Sequence, residues 1–267
     1  TVPNYSYYRV VVSYNGSNYF GWQDLGPEVE KATVQRTLTQ ALRKICKYAD
    51  CKVSGASRTD AGVHAQGQVA KLTVPLKIDP QKLQLGLNSL LPEDIRIQRC
   101  TECPSDFNPN RHSTGKQYRY YFSTDRVSSP ILTGIVAHIP SLLEGVQTDA
   151  PLNLESMGKA CELFIGEHDF YSFASKEKNN DSTVRTIRSL KLNRTAALDL
   201  DFDIYCFEIE GDGFLKHMVR YIVGALFEVG RQALDPADIR QALGSRNEKK
   251  LSPKAKARGL HLIEITY

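Results

Sequence analysis

The chain has 267 residues, 41% of them hydrophobic and 24% charged, which is the balance of an ordinary globular protein with length for one large domain or two compact ones. No apolar run approaches the roughly 20 residues that cross a bilayer, and the start shows no signal-peptide pattern, although an opening Thr1 is compatible with a trimmed leader. A formal charge of +4 permits a polyanionic partner without requiring one.

Residues 5–14 are rich in aromatic and β-branched side chains and read as a strand. Residues 15–23 form a Gly- and Asn-rich loop that holds the only tryptophan, Trp22, placed either to plug a core edge or to floor a cleft. Val34, Leu38, Ala41, Leu42 and Ile45 recur at helical spacing behind Thr33, a suitable N-cap. Two short extended stretches, 51–54 and 68–74, flank a polar loop. Asp79-Pro80 then opens a helix with Leu83, Leu87 and Leu90 on one face, and residues 94–99 alternate like a strand. The order is β-α-β-β-α-β, a ferredoxin-like unit.

Residues 105–115 are irregular, so the expected division is 1–107 and 108–267. The second half repeats the pattern, without visible sequence identity to the first. It has a strand at 117–122 with three tyrosines, a helix at 152–165 stopped by Gly166, and strands at 185–192 and 202–210. A strong helix at 214–229 closed by Gly230, a further helix at 235–244 and a last strand at 259–267 complete it. Residues 175–182 are charged and polar, as in a mobile surface loop. The expected class is α+β with two ferredoxin-like halves.

Six cysteines spread over a long chain do not resemble a disulfide framework. Cys100-Thr-Glu-Cys103 lacks two further ligands at motif spacing, so no metal is expected. The thiols read as reduced, in a cytoplasmic or organellar-matrix protein.

The loop around Asp60 gathers a carboxylate, the guanidinium of Arg58 and the imidazole of His64. Asp60 reads either as a turn residue capping its own backbone or as an ionised carboxylate able to act as nucleophile or base. His64 reads mainly as structural. Tyr118 either makes a cross-strand aromatic pair or stacks on a base and exchanges a proton. Lys216 and Arg220, four apart in the expected helix, share a face, and Arg220 is a plausible charge partner for Asp60. Arg111, Lys116, Arg119, Arg185 and Arg188 lie in or beside aromatic strands, an interleaving that suits RNA.

Arg58-Thr-Asp-Ala-Gly-Val-His-Ala65 followed by Gly67-Gln-Val-Ala70 closely resembles the signature of TruA-type tRNA pseudouridine synthases. The resemblance extends through Tyr14-Asn-Gly-Ser-Asn-Tyr-Phe-Gly-Trp-Gln23, Leu87-Asn-Ser-Leu-Leu-Pro92, Phe107 to Arg111 with Tyr118-Arg-Tyr120, Arg185-Thr-Ile187 and Gly213 to Gly224, in the family's order. It implies a cofactor-free, metal-free isomerase that converts uridine to pseudouridine in the anticodon stem-loop of tRNA. It further implies a pseudouridine synthase fold whose halves share a central, mixed, largely antiparallel sheet, and a homodimer with no membrane association. By the same resemblance Asp60 is the catalytic carboxylate, with Arg58, Tyr118 and Arg220 beside it in catalysis. Substrate binding maps to Tyr118, Arg58, Lys216, Arg111 and Trp22. Ala61 and His64 resemble the bacterial or organellar branch, which acts at about positions 38 to 40. One departure is Lys256, where the family's tail pattern has proline.

Two other readings stand beside this one. A non-catalytic tRNA-binding module of the same fold would bind without turnover, and the joint presence of Asp60, Arg58, Tyr118 and Arg220 argues against it. A carboxylate-dependent N-glycosidase would release free uracil, but no second acidic partner has a recognisable spacing.

Overall fold

The structure is a computed structural model that describes residues 4–48, 50–177, 182–196, 198 and 200–267. Of the stretch expected to be a mobile loop, residues 178–181 lie outside the described ones. The chain forms two compact units, one comprising Thr1–Thr114 with Leu262–Tyr267 and the other Gly115–His261. This partition differs from the expected division after residue 107, and it gives the last residues to the first unit.

The first unit runs β1 (Ser6–Tyr14), α1 (Val34–Ile45), β2 (Lys52–Gly55), β3 (His64–Val74), α2 (Pro80–Leu90) and β4 (Ile95–Glu102). Thr33 caps α1 by accepting the Arg36 N–H, and Val34, Leu38, Ala41 and Leu42 are buried along one stripe. Asp79 caps α2 ahead of Pro80, and Leu83 and Leu87 are buried, whereas Leu90 at the last turn stays exposed. In β1 the alternation puts Tyr8, Val10, Val12 and Tyr14 in the core. The sheet order is β4-β1-β3 with β2 on the far side of β3, all antiparallel. That is the ferredoxin-like order expected from the alternating elements. β3 starts four residues earlier than its hydrophobicity indicates, because pairing with β1 continues to Tyr14 and Ala65.

The second unit contains β5 (Gly115–Ser123), β6 (Ala137–His138), α3 (Leu154–Cys161), β7 (Gly166–Asp169), β8 (Val184–Thr195), β9 (Ile204–Gly211), α4 (Met218–Gly230) and α5 (Pro236–Leu243). Its sheet runs β5-β9-β8-β7 in antiparallel order, and β6 lies parallel to β5, so the class is α+β with a mixed, largely antiparallel sheet. The strand–helix–strand–strand–helix core of the second pattern is present as β5, α3, β8, β9 and α4. The last strand, β10 (Leu260–Thr266), has its residues from Leu262 onward in the first unit, next to β3. The approach is close, since a Cβ on Gly67 would stand 2.2 Å from the Ile263 carbonyl oxygen.

Two expected helices are shorter than their patterns. α3 ends at Cys161, and Gly166, with φ +107°, opens β7 instead of capping the helix. α4 starts at Met218 because His217 sits at φ +61°, a left-handed conformation that stops a helix from running further back. Lys216 therefore precedes the helix and does not share a helical face with Arg220. α4 is buried on almost every side, as its all-round apolar sequence requires, with Phe227 edge-on to Tyr120 and Phe122.

All six cysteines are free thiols. Burial pushes those of Cys100, Cys161 and Cys206 up to about 12, which makes them packing groups. Among the described residues no helix is long and apolar enough to cross a membrane.

Candidate catalytic site

Between β2 and β3 the chain leaves the sheet for eight residues and carries Asp60 outward. Gln68, fully buried, sets the exit. Its amide oxygen accepts the Ser57 N–H at 3.2 Å, and its amide nitrogen donates to the Ser57 carbonyl at 2.7 Å. A side chain thus replaces a strand neighbour just where the backbone departs.

The Asp60 turn is held on both flanks. The Asp60 carbonyl accepts the Val63 N–H at 3.1 Å, and Gly62 takes φ +80° in the third position of that turn. Backbone atoms close the turn, so its formation does not require the Asp60 carboxylate. On the N-terminal side the Thr59 carbonyl accepts the Trp22 N–H at 3.0 Å, and the Thr59 hydroxyl meets the Tyr14 hydroxyl at 2.7 Å. On the C-terminal side the Gly62 N–H reaches the Tyr19 carbonyl at 3.3 Å.

The 15–23 loop lies directly against this turn, and two glycines permit it. A Cβ at Gly16 would be 2.0 Å from the Val63 oxygen, and one at Gly21, with φ +83°, 2.6 Å from the Thr59 oxygen. Thr59, Val63 and His64 are buried while Asp60 is partly open. A carboxylate on a turn whose neighbours are locked is presented with little freedom of its own.

His64 accepts the Gly16 N–H on Nδ1 at 3.0 Å and is 2% exposed. An accepting Nδ1 needs an uncharged ring, so the imidazole works as a buried strut between two loops. Arg58 is exposed on the same loop.

Trp22 is a core residue. It is 2% exposed, stacks on Tyr14 at 6.2 Å and fills the space that Gly55 leaves, where a Cβ would meet the indole at 2.3 Å. Of the two places expected for it, it takes that of a core plug under the Asp60 loop. Arg111 is exposed on a separate turn, where the Asn108 side chain accepts the N–H groups of Asn110 and Arg111.

The other expected residues belong to the second unit. Tyr118 lies on β5 opposite Ile209, 7% exposed, with its ring edge-on to Phe214 at 5.3 Å. Lys216 is exposed. Arg220 is buried at 4% exposure, donates from Nε to the Ala255 carbonyl at 2.9 Å and ion-pairs with Glu144. Lys254 reaches the same carboxylate at 3.4 Å, and these two cations hold the Glu144 carboxyl below its ordinary value against the opposing effect of its burial.

Residues not singled out by sequence reasoning complete the picture. Tyr14, Thr59 and Gln68 fix the Asp60 loop, and all three fall inside the recognised motifs. Glu144 lies in a stretch with no periodicity or motif, so nothing local marks it.

The family description "tRNA pseudouridine synthase" matches residues 10–110 and 160–267. A protein of Desulfotalea psychrophila named tRNA pseudouridine synthase A 2 is 44% identical over 263 residues, covering 97% of this chain and 98% of its own. Proteins named tRNA pseudouridine synthase A from Acetivibrio thermocellus and Myxococcus xanthus are 36% and 35% identical over 259 residues, covering 97% of this chain and 98% and 91% of theirs.

Proposed function

This chain belongs to the tRNA pseudouridine synthase family, and we propose that it isomerises uridine to pseudouridine in the anticodon stem-loop of tRNA, at about positions 38 to 40, through Asp60. The observation that supports this most directly is the Asp60 turn, a partly open carboxylate flanked by the buried, hydrogen-bonded Thr59 and Val63.

The reaction breaks the C1′–N1 bond, turns the uracil while it stays bound, and joins C5 to C1′. The hydrogen on C5 leaves, and N1 gains one, so the base keeps its composition. A fixed carboxylate serves this by attacking the sugar at C1′ or the base at C6, or by taking the 2′-proton. Each route needs an ionised oxygen aimed at one spot, which a locked turn supplies better than a mobile loop.

The same proposal assigns Arg58, Tyr118 and Arg220 to catalysis and Arg58, Tyr118, Lys216 and Arg111 to substrate contact. Exposure of Arg58, Arg111 and Lys216 suits phosphate contact. A target uridine in a stem must be flipped out before it can react, and phosphate contacts offset that unstacking. A homodimer and a cytoplasmic or organellar-matrix location belong to this reading too.

Tritium release from tRNA labelled at uridine C5 tests it, because only formation of the new C–C bond expels that hydrogen. The wild type is expected to release tritium, and Asp60→Ala to remain folded, bind tRNA and release none. A near wild-type rate in the mutant would remove Asp60 from the chemistry. Binding without release by the wild type would leave a tRNA-binding module.

A further inference from the structure

A guanidinium assigned to catalysis, as Arg220 is above, serves best when something fixes its plane. Two acceptors in the second unit do so. The Arg220 Nε donates to the Ala255 carbonyl at 2.9 Å, and its Nη2 donates to Oε1 of Glu144. Nε and Nη2 share one edge of the rigid fork, so a hold on both stops the group from turning about its last bonds. Arg220 is buried, whereas the Glu144 carboxylate is partly open.

The backbone brings Glu144 to that edge. Residues 142–144 run antiparallel to residues 254–256. Leu143 bridges Ala255, the Glu144 N–H donates to the Lys254 carbonyl at 2.9 Å, and the Lys256 N–H donates to the Leu142 carbonyl at 2.8 Å. Leu142 and Leu143 are buried beneath this short ribbon. The Ala255 N–H on the Arg220 carbonyl ties it to α4, and the Tyr120 hydroxyl on the Lys256 carbonyl at 2.8 Å ties it to β5. The ribbon is therefore held by backbone bonds and buried leucines, and fastening it does not account for the Glu144 side chain.

The carboxylate is oriented in its turn. Its Oε1 meets Arg220, and its Oε2 lies 3.4 Å from the Lys254 ammonium. Burial opposes its ionisation, and the two cations outweigh that effect. One anion against two cations leaves these three groups with a net positive charge, so Glu144 orients the guanidinium without cancelling its field. Glu144 lies between the two stretches that match the family description, 10–110 and 160–267.

We propose that Glu144 is a positioning residue for Arg220, holding its guanidinium in the plane that the isomerisation uses. The inference rests on the part proposed above for Arg220, and Glu144 acts through that residue, not on the substrate.

The test is the rate of tritium release from C5-labelled tRNA at saturating enzyme, measured beside tRNA affinity and thermal midpoint. Wild type, Glu144→Gln, Glu144→Asp, Arg220→Lys and the double variant Glu144→Gln with Arg220→Lys are compared. Glu144→Gln, which keeps the shape and loses the charge, is expected to be about tenfold slower, with affinity changed less than about twofold. Glu144→Asp keeps the charge one methylene short and is expected to lose only about threefold. Arg220→Lys, with no planar fork, is expected to be about a hundredfold slower. Because Glu144 acts through Arg220, the double variant is expected to be no slower than Arg220→Lys.

A folded Glu144→Gln that melts earlier but reacts at the wild-type rate makes the pair purely structural and overturns the proposal. If that variant does not fold, Glu144→Asp at the wild-type rate overturns it instead. A double variant slower than Arg220→Lys by the full Glu144→Gln factor overturns it too. No release by the wild type defeats the proposed function and this inference with it. Arg220→Lys at the wild-type rate removes Arg220 from catalysis, and Glu144 along with it. A slow Arg220→Lys beside an unimpaired Glu144→Gln leaves the function standing and defeats this inference alone.

Discussion

Lys116 lies two residues before Tyr118 on β5, and burial, reinforced by the charge of Arg185, pushes its ammonium down to about 8. Below that pH the folded protein carries a poorly solvated charge that the unfolded chain carries in water. Between about 8 and the ordinary lysine value the unfolded chain holds more protons, so the contribution of Lys116 to stability rises with pH across that window. Lys116→Met is thus expected to be more stable than wild type at pH 7, with the gap narrowing as pH climbs through 8 towards 10. Denaturant midpoints at several pH values check this, and a gap independent of pH would refute it. Asp60 was legible in the sequence because a motif surrounded it. The burial of Lys116 was not, and for His64 the structural part was expected but its partner, Gly16, was not, since both depend on groups from distant strands and loops.

Gly224 lies within α4 where the chain crosses back over the helix. A Cβ there would stand 2.2 Å from the Pro253 carbonyl oxygen and 2.9 Å from the Ser252 hydroxyl. The crossing is pinned by the Ala255 N–H on the Arg220 carbonyl at 3.0 Å and by the Arg220 side chain on the Ala255 carbonyl. Gly224→Ala must push this segment off the helix, at a cost of about 1–3 kcal/mol by the usual scale of overpacking. A fall in thermal midpoint checks the cost, whereas an unchanged midpoint would mean that the segment moves freely. Lys256 fits the same crossing. It adopts φ −58°, the value proline enforces, yet its N–H donates to the Leu142 carbonyl at 2.8 Å. The departure from the family's proline keeps the backbone path and adds a bond that proline lacks. Helix caps such as Thr33 and Asp79 were readable, because a cap is a local event. The late start of α4 was not, as Leu215 continues the helical spacing of Met218 and Ile222 and only the left-handed His217 excludes residues 214–217.

At the scale of the molecule, a net charge of +4 on 267 residues is modest for a chain proposed to act on tRNA, which supports the proposal of a homodimer. Sedimentation equilibrium is expected to give twice the chain mass, and a single-chain mass at all concentrations would reject the dimer. The repeated β-α-β-β-α-β order was visible from hydrophobic periodicity because each element follows its own pattern. The membership of β10 was not, since a strand's sequence states that it pairs and not with which unit. That membership bears on how the protein is made. The first unit is discontinuous, built from the beginning of the chain and from Leu262–Tyr267. During synthesis residues 4–114 emerge long before those last six, so β3 waits with an open edge beside Gly67 through the making of the entire second unit. The turn that carries Asp60 springs from that same strand, and its sheet gains its last neighbour only after the second unit has been made.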